Sequence, residues 1–95
     1  MNERDVNSPE EFTNMTSEDK QKLCSWIRSN LVKIKTVNQS RTSYGLKHIF
    51  EHSENGFYTT NGQFKGAMLE CGFEPYEPDE INWKFCFCFT FGDST

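Results

Sequence analysis

Two histidines with helical spacing are candidate metal ligands in this sequence. His48 and His52 are four residues apart, which places two imidazoles on one face of a helix. With a cysteine nearby they could hold zinc, which binds imidazole and thiolate groups. The sequence has no C-x-x-C pair and no third ligand at a recognisable spacing. We therefore interpret both histidines as surface residues and predict that the protein needs no metal and no cofactor.

The cysteines are interpreted as reduced thiols buried as small hydrophobic groups. Disulfide frameworks belong to secreted chains. The first residues, MNERDVNSPEEF, have no apolar stretch after a basic region, as a secretory signal would. No run of about 18 apolar residues marks a membrane span. We therefore expect a soluble cytoplasmic protein that makes no contact with a membrane and has no disulfide among Cys24, Cys71, Cys86 and Cys88.

Catalytic patterns are missing from the sequence as well. No nucleophile stands in a recognisable motif, and no glycine-rich loop matches the templates that cradle phosphates. We predict that the protein is not an enzyme and works by binding another macromolecule.

The charges are distributed unevenly along the 95 residues. Residues 20–66 carry eight basic and two acidic side chains, whereas residues 1–19 and residues 67–95 each carry one basic and six acidic side chains. Such a basic middle between acidic ends fits either neutralisation within the molecule or a basic face for a polyanion.

Capping signals predict three helices. Thr16 followed by Asp19 predicts a helix to about Leu31, and Ser43 can cap a second helix over about 44–52. A third helix is predicted from Asn61 to about Cys71, because Thr60 and Gln63 form a capping box and Gly72 suits a left-handed end. Gly62 and Gly66 inside this helix indicate close approach of another helix or of a ligand backbone.

Two strands are predicted around these helices. Alternation over Val32–Val37 indicates a short half-buried strand, and the segment 81–91 is the clearest strand in the chain. One face of that second strand would carry Ile81, Trp83, Phe85, Phe87, Phe89 and Phe91. The expected fold is α+β, with three helices and a small antiparallel sheet in a single domain over residues 15–95. Residues 1–14 are predicted to be a flexible acidic tail.

The element order resembles a winged helix-turn-helix, in which the third helix enters the major groove of DNA. Asn61, Gln63 and Lys65 would then form the outward face of the reading helix, near an end whose N–H groups favour phosphates. Contacts with the DNA backbone would come from Arg41, Lys47 and Tyr58. A wing normally needs two paired strands after the reading helix, and only one is visible in the sequence.

Residues 42–73 resemble a segment of small proteins from Gram-positive phages, plasmids and integrative elements. The matching parts are Ser43-Tyr44-Gly45-Leu46-Lys47-His48, Thr60-Asn61-Gly62-Gln63-Phe64-Lys65-Gly66-Ala67-Met68, and the later Asn82-Trp83. This resemblance implies a mobile-element setting, in which small proteins are often transcriptional regulators or inhibitors of host defence.

Three functions are consistent with these observations. The first is a DNA-binding transcriptional regulator of helix-turn-helix type, with duplex DNA as its partner. The second is an inhibitor of a host or defence protein, such as a CRISPR nuclease, in which the acidic loop of residues 74–80 partly mimics phosphates. The third is an oligomerisation module, since an unpaired apolar edge in strand 81–91 would recruit a second copy and give a homodimer near Phe87 to Phe91.

Overall fold

The computed structural model describes residues 5–90. Helices α1, α2 and α3 span Ser17–Asn30, Ser43–Glu51 and Asn61–Glu70, and a 3-10 helix spans Pro9–Asn14. Strands β1, Leu31–Lys33, and β2, Phe87–Phe89, pair antiparallel with Leu31 opposite Phe89. The predicted α+β class, with three α-helices and a small antiparallel sheet, is confirmed. The winged helix-turn-helix arrangement stays a prediction.

Local capping chemistry explains where the helices begin and end. The Thr16 hydroxyl accepts from the Asp19 N–H and starts α1, and the full Thr60–Gln63 capping box starts α3. Gly72 follows α3 with φ of 91°, the left-handed conformation expected for a helix end. Helix α2 begins one residue earlier than predicted, because the hydroxyl of Thr42, and not that of Ser43, accepts from the Gly45 N–H.

One hydrophobic core joins all the helices to the sheet. Aromatic rings dominate it, and many meet edge to face, as in the pair formed by Trp26 and Phe50 with centroids 5.6 Å apart. The largest fully buried hydrophobic side chains are Phe50, Phe64, Phe85, Phe87, Leu23, Ile27, Leu46 and Met68. No helix within residues 5–90 is long and apolar enough to cross a membrane.

Helix α3 is the central element of the fold and not a surface helix. Seven of its ten residues are buried, because α1, α2 and the 3-10 helix all pack against it. A helix that reads DNA must present one face to solvent. The burial of α3 therefore contradicts the outward face that the sequence pattern predicted for it.

The N-terminal segment is packed onto this helix. We call residues 5–14 the N-terminal strap. Its 3-10 helix places Phe12, only 9% exposed, against Gly66 of α3. The strap is packed on the domain in this structure, because its one aromatic side chain joins the core, and its flexibility stays a prediction. Residues 1–4 lie outside the described residues.

The C-terminal strand is much shorter than predicted. Trp83, Phe85, Phe87 and Phe89 are buried as expected, but Ile81 is 62% exposed and Phe91 lies outside the described residues. Only Phe87–Phe89 pairs with β1 as a strand, while Phe85 forms an isolated bridge with Pro75. Strand β1 is likewise Leu31–Lys33 instead of Val32–Val37.

Candidate functional site

The six residues predicted to bind DNA do not form one exposed surface. Arg41 lies in the loop before α2, half-buried, with its backbone N–H donating to Asn38 Oδ1 at 3.1 Å. Tyr58 is 75% exposed, but Lys47, Asn61 and Lys65 are 5%, 5% and 3% exposed. Gln63 is half-buried, and its side-chain oxygen accepts from the N–H of Thr60, the N-cap of α3. The predicted surface is therefore wrong for Lys47, Asn61 and Lys65, whose polar groups point into the molecule.

Asn61 is the centre of a buried polar network. Its Oδ1 accepts from the Ser43 hydroxyl at 2.8 Å, and the Ser43 oxygen in turn accepts from the Trp83 N–H at 3.0 Å. Its Nδ2 can donate to three oxygens at 3.0–3.1 Å, namely Asn7 Oδ1, Ile81 O and Asn82 Oδ1. Asn61 thus ties α2, α3, the strap and the segment after the acidic loop together.

Lys65 supplies the hydrogen bond that this network needs. An amide nitrogen carries two hydrogens, so Asn61 cannot serve three acceptors at once. The Lys65 ammonium donates to Ile81 O at 2.9 Å, which leaves the Asn61 hydrogens for the two asparagine oxygens. The ammonium also lies 4.4 Å from the centroid of the Trp83 ring, a cation–π contact. Burial lowers the pKa of Lys65 below its ordinary value, and the charge of Asp5 partly opposes that shift.

The acidic loop is held by hydrogen bonds to its backbone. The Trp83 indole N–H donates to Pro78 O at 3.0 Å, and the Tyr76 N–H donates to Lys84 O at 2.8 Å. Pro75 forms a β-bridge with Phe85, and the carbonyl oxygen of Ile81, the residue after the loop, accepts from Lys65. Both ends of the loop and its middle are therefore fixed to the core.

The outer surface of this loop is acidic and partly apolar. Tyr76 and the adjoining Ile81 are 55% and 62% exposed. The loop also exposes four carboxylates, and in the described part of the chain none of them forms an ion pair: Glu74, Glu77, Asp79 and Glu80. Carboxylates without partners beside an exposed aromatic ring suit contact with a basic surface.

A second cluster surrounds Lys47 on α2. Its ammonium is 3.0 Å from Glu51 Oε2, which also accepts from the Thr59 N–H at 3.0 Å. The rings of Tyr44 and Tyr58 lie 5.2 and 5.1 Å from the ammonium. Burial alone would raise the pKa of Glu51, but the Thr59 N–H and the Lys47 ammonium outweigh it and lower that pKa. The positive charge of Lys47 is thus paired with the carboxylate of Glu51 inside the protein.

The histidines and cysteines differ in their environments. Cys24 is buried as expected, Cys71 and Cys86 are half-buried, and Cys88 is exposed, so the interpretation as buried thiols is wrong for Cys88. His48 Nδ1 lies 3.2 Å from Glu51 Oε1, and His52 is exposed after α2. Among residues 5–90, no group of three histidine, cysteine or acidic side chains could hold a metal ion. Cys71 Sγ lies 3.8 Å from the carbonyl oxygen of Cys24, and burial raises the pKa of Cys71 to about 12. That thiol is protonated at neutral pH and a poor nucleophile.

Sequence reasoning missed four members of the network, namely Asn7, Ser43, Asn82 and Trp83. Their spacing carries no signal, because they lie in segments far apart in the chain. Ser43, Asn82 and Trp83 nevertheless belong to the segments on which the resemblance to mobile-element proteins was based. In the fold, those segments meet around Asn61.

Comparison of the chain with protein-family models, with curated proteins and with solved structures found no match.

Proposed function

We propose that this protein is a non-catalytic binding domain that docks its acidic loop onto a basic surface of another protein. The observation that carries the proposal is the fixing of loop carbonyls by buried donors. Lys65 donates to Ile81 O, and Trp83 donates to Pro78 O.

Burying the Lys65 ammonium to hold the Ile81 carbonyl is energetically unfavourable. The architecture of the fold does not by itself account for that burial. A charge removed from water is unfavourable unless it is well bonded, and the lowered pKa of Lys65 reflects that cost. What Lys65 secures in return is a fixed conformation next to an exposed loop. Loops that are ordered before binding lose less conformational freedom when the complex forms. A rigid acidic surface is therefore the most direct functional interpretation of Lys65.

The chemistry of the loop specifies the class of partner. Four exposed carboxylates within residues 74–80 attract lysine- and arginine-rich surfaces and accelerate their encounter. Tyr76 and Ile81 offer apolar area for a contact from which water is excluded, as in the centre of many interfaces. Nucleic-acid-binding faces of host or defence proteins have this basic character. The protein would then act as an inhibitor that occupies such a face in place of phosphates.

A DNA-binding regulator is the second candidate, and Tyr58 is the observation that favours it. This ring is 75% exposed, and exposed aromatic rings can stack on bases or contact the DNA backbone. Binding would have to use the α2 side of the molecule, with Arg41 and Tyr58, because Asn61 and Lys65 of α3 are buried.

One titration distinguishes the two candidates. Fluorescence anisotropy would follow binding of a labelled oligoarginine peptide and of a labelled random-sequence duplex at near-physiological salt, where charges more than about 8 Å apart are largely screened. The test variant neutralises the loop as E74Q/E77Q/D79N/E80Q. Its matched control removes the same number of exposed carboxylates elsewhere, as E10Q/E18Q/E54Q/E70Q.

We expect the loop variant to lose at least about tenfold in affinity for the peptide, whereas the control loses about twofold or less. Equal losses in both variants would mean that only net charge matters, and the loop proposal would fail. Binding of the duplex without binding of the peptide would favour the DNA-binding candidate instead.

A further inference from the structure

Helix α3 has a groove where two glycines replace side chains. The Gly62 N–H, at the start of the helix, donates to the carbonyl oxygen of Val6 at 2.8 Å. A methyl group on Gly62 would overlap the carbonyl oxygen of Ser8, and one on Gly66 would overlap the Phe12 side chain. The strap backbone therefore sits at a distance that only glycine permits.

The strap makes the contacts of a bound peptide. Its Val6 carbonyl satisfies one of the N–H groups that a helix start leaves without an intrahelical partner. Phe12 is 9% exposed against Gly66, with the Lys20 ammonium 5.4 Å from its ring centroid. Asn7 accepts from the Asn61 amide. A backbone anchor, one buried ring and one side-chain hydrogen bond are typical of short-peptide recognition.

The strap contributes little to the hydrophobic core. Among the described residues, all the fully buried side chains come from residues 23–87, and Phe12 is the only hydrophobic residue of residues 5–14 in the core. Segments with few buried apolar contacts open at lower free energy than the whole domain.

We infer that the glycine groove of α3 is a peptide-binding site whose resident ligand is the chain's own strap, and that the strap detaches without unfolding the domain. The recognised segment presents a backbone carbonyl to Gly62 and a phenylalanine three residues after a proline. This site lies on the strap side of α3, and its test requires no partner of the acidic loop.

Hydrogen exchange on the intact wild-type chain tests the detachment. The Gly62 amide, bonded to Val6 O, would be compared with the Leu31 amide, bonded to Ile27 O in the core. We expect the Gly62 amide to be protected at least about tenfold less than that of Leu31, because the strap opens separately. Equal protection of the two amides would mean that they open only with the whole domain, which would overturn the inference.

A peptide of residues 5–15 tests the site itself. We expect the labelled peptide to bind the full-length Phe12→Ala variant, whose own strap is weakened, and to bind the wild-type chain at least about tenfold more weakly, because a tethered segment competes at millimolar effective concentration. A peptide carrying Phe12→Ala is the matched control and should bind at least about tenfold more weakly than the unaltered peptide.

Three results would overturn the inference. Equal binding of the two peptides would mean that the groove does not recognise the ring. Equal binding to both chains would mean that the peptide attaches elsewhere. A Phe12→Ala chain without helical circular dichroism would mean that the domain depends on the strap.

Discussion

The Lys65 ammonium donates a 2.9 Å hydrogen bond to the carbonyl oxygen of Ile81. The two residues are sixteen positions apart, and the bond connects the central helix with the end of the acidic loop. The sequence pattern placed Lys65 on the surface, but in the structure its ammonium is a buried hydrogen-bond donor to the backbone at Ile81.

Replacing Lys65 by alanine should destabilise the domain. The change leaves Ile81 O, Asn7 and Asn82 to share two hydrogens of Asn61, and it removes the contact with Trp83. We expect a loss of about 2–4 kcal/mol in urea unfolding, whereas an exposed lysine would cost less than about 0.5 kcal/mol. Lys22→Ala is the control, since its side chain is 50% exposed. Similar small losses for both variants would contradict the structural role of Lys65.

The glycines should respond to alanine with opposite signs. A methyl group on Gly66 would overlap the Phe12 Cβ and the Pro9 carbonyl, so Gly66→Ala should cost about 1–3 kcal/mol despite the better helix propensity of alanine. Gly45 lies in α2, where the nearest atom to such a methyl group is Arg41 Cδ at 3.9 Å. Gly45→Ala should therefore stabilise the domain by up to about 1 kcal/mol. Thermal unfolding of the two variants would show whether the signs differ.

Glu51→Gln should change how stability depends on pH. The folded-state pKa of Glu51 is lowered, so its contribution to stability is present above the ordinary carboxyl pKa and is lost as the pH falls through the lower folded value. At neutral pH we expect the variant to lose about 2–3 kcal/mol, because Lys47 loses its charge partner while glutamine can still accept from the Thr59 N–H.

The difference between wild type and the Glu51→Gln variant should shrink in acid. Urea unfolding measured from neutral to acidic pH would follow that change, with Glu54→Gln, an exposed residue, as the control. A difference that stays constant with pH would indicate that ionisation of Glu51 contributes nothing to stability.

The homodimer through strand 81–91 stays a prediction. In the part of this strand that the structure describes, only Phe87–Phe89 pairs with β1, and residues 75 and 76 bond to Phe85 and Lys84. The edge left for a second copy is therefore shorter than the sequence pattern indicated. Light scattering would compare the wild type with a chain that ends at Thr90. We expect a concentration-dependent dimer for the wild type and weaker association for the shortened chain; a wild type that remains monomeric at millimolar concentration would contradict it.

Local signals predicted the helices well. Thr16, Thr60 with Gln63, and Gly72 mark helix ends through short-range hydrogen bonds and backbone conformation, which sequence displays directly. The strand 81–91 was overestimated for a different reason. Alternation describes which side chains face the core, and it holds from Trp83 to Phe89, but it does not show where a partner strand ends.

The candidate site was harder to predict because its interactions are long-range. Lys65 has an apolar stem and a polar end, so burial and exposure are equally consistent with its position in the sequence. The packing of the strap was not predicted, because its residues are mostly polar and Phe12 is its one buried aromatic side chain. The Gly62 and Gly66 pair was the available signal: it indicated close approach of a backbone, and that backbone is residues 6–9 of the same chain.

The hydrogen bond between Trp83 and Pro78 gives the molecule an internal optical reporter. The Trp83 indole is 6% exposed and bonded to the loop at 3.0 Å, so its emission should shift to longer wavelength when the loop moves and water reaches the ring. Trp26 of α1, the other tryptophan, is half-buried against Phe50 of α2 and contributes a separate signal. A Trp26→Phe chain would thus report on the loop alone, without any attached dye.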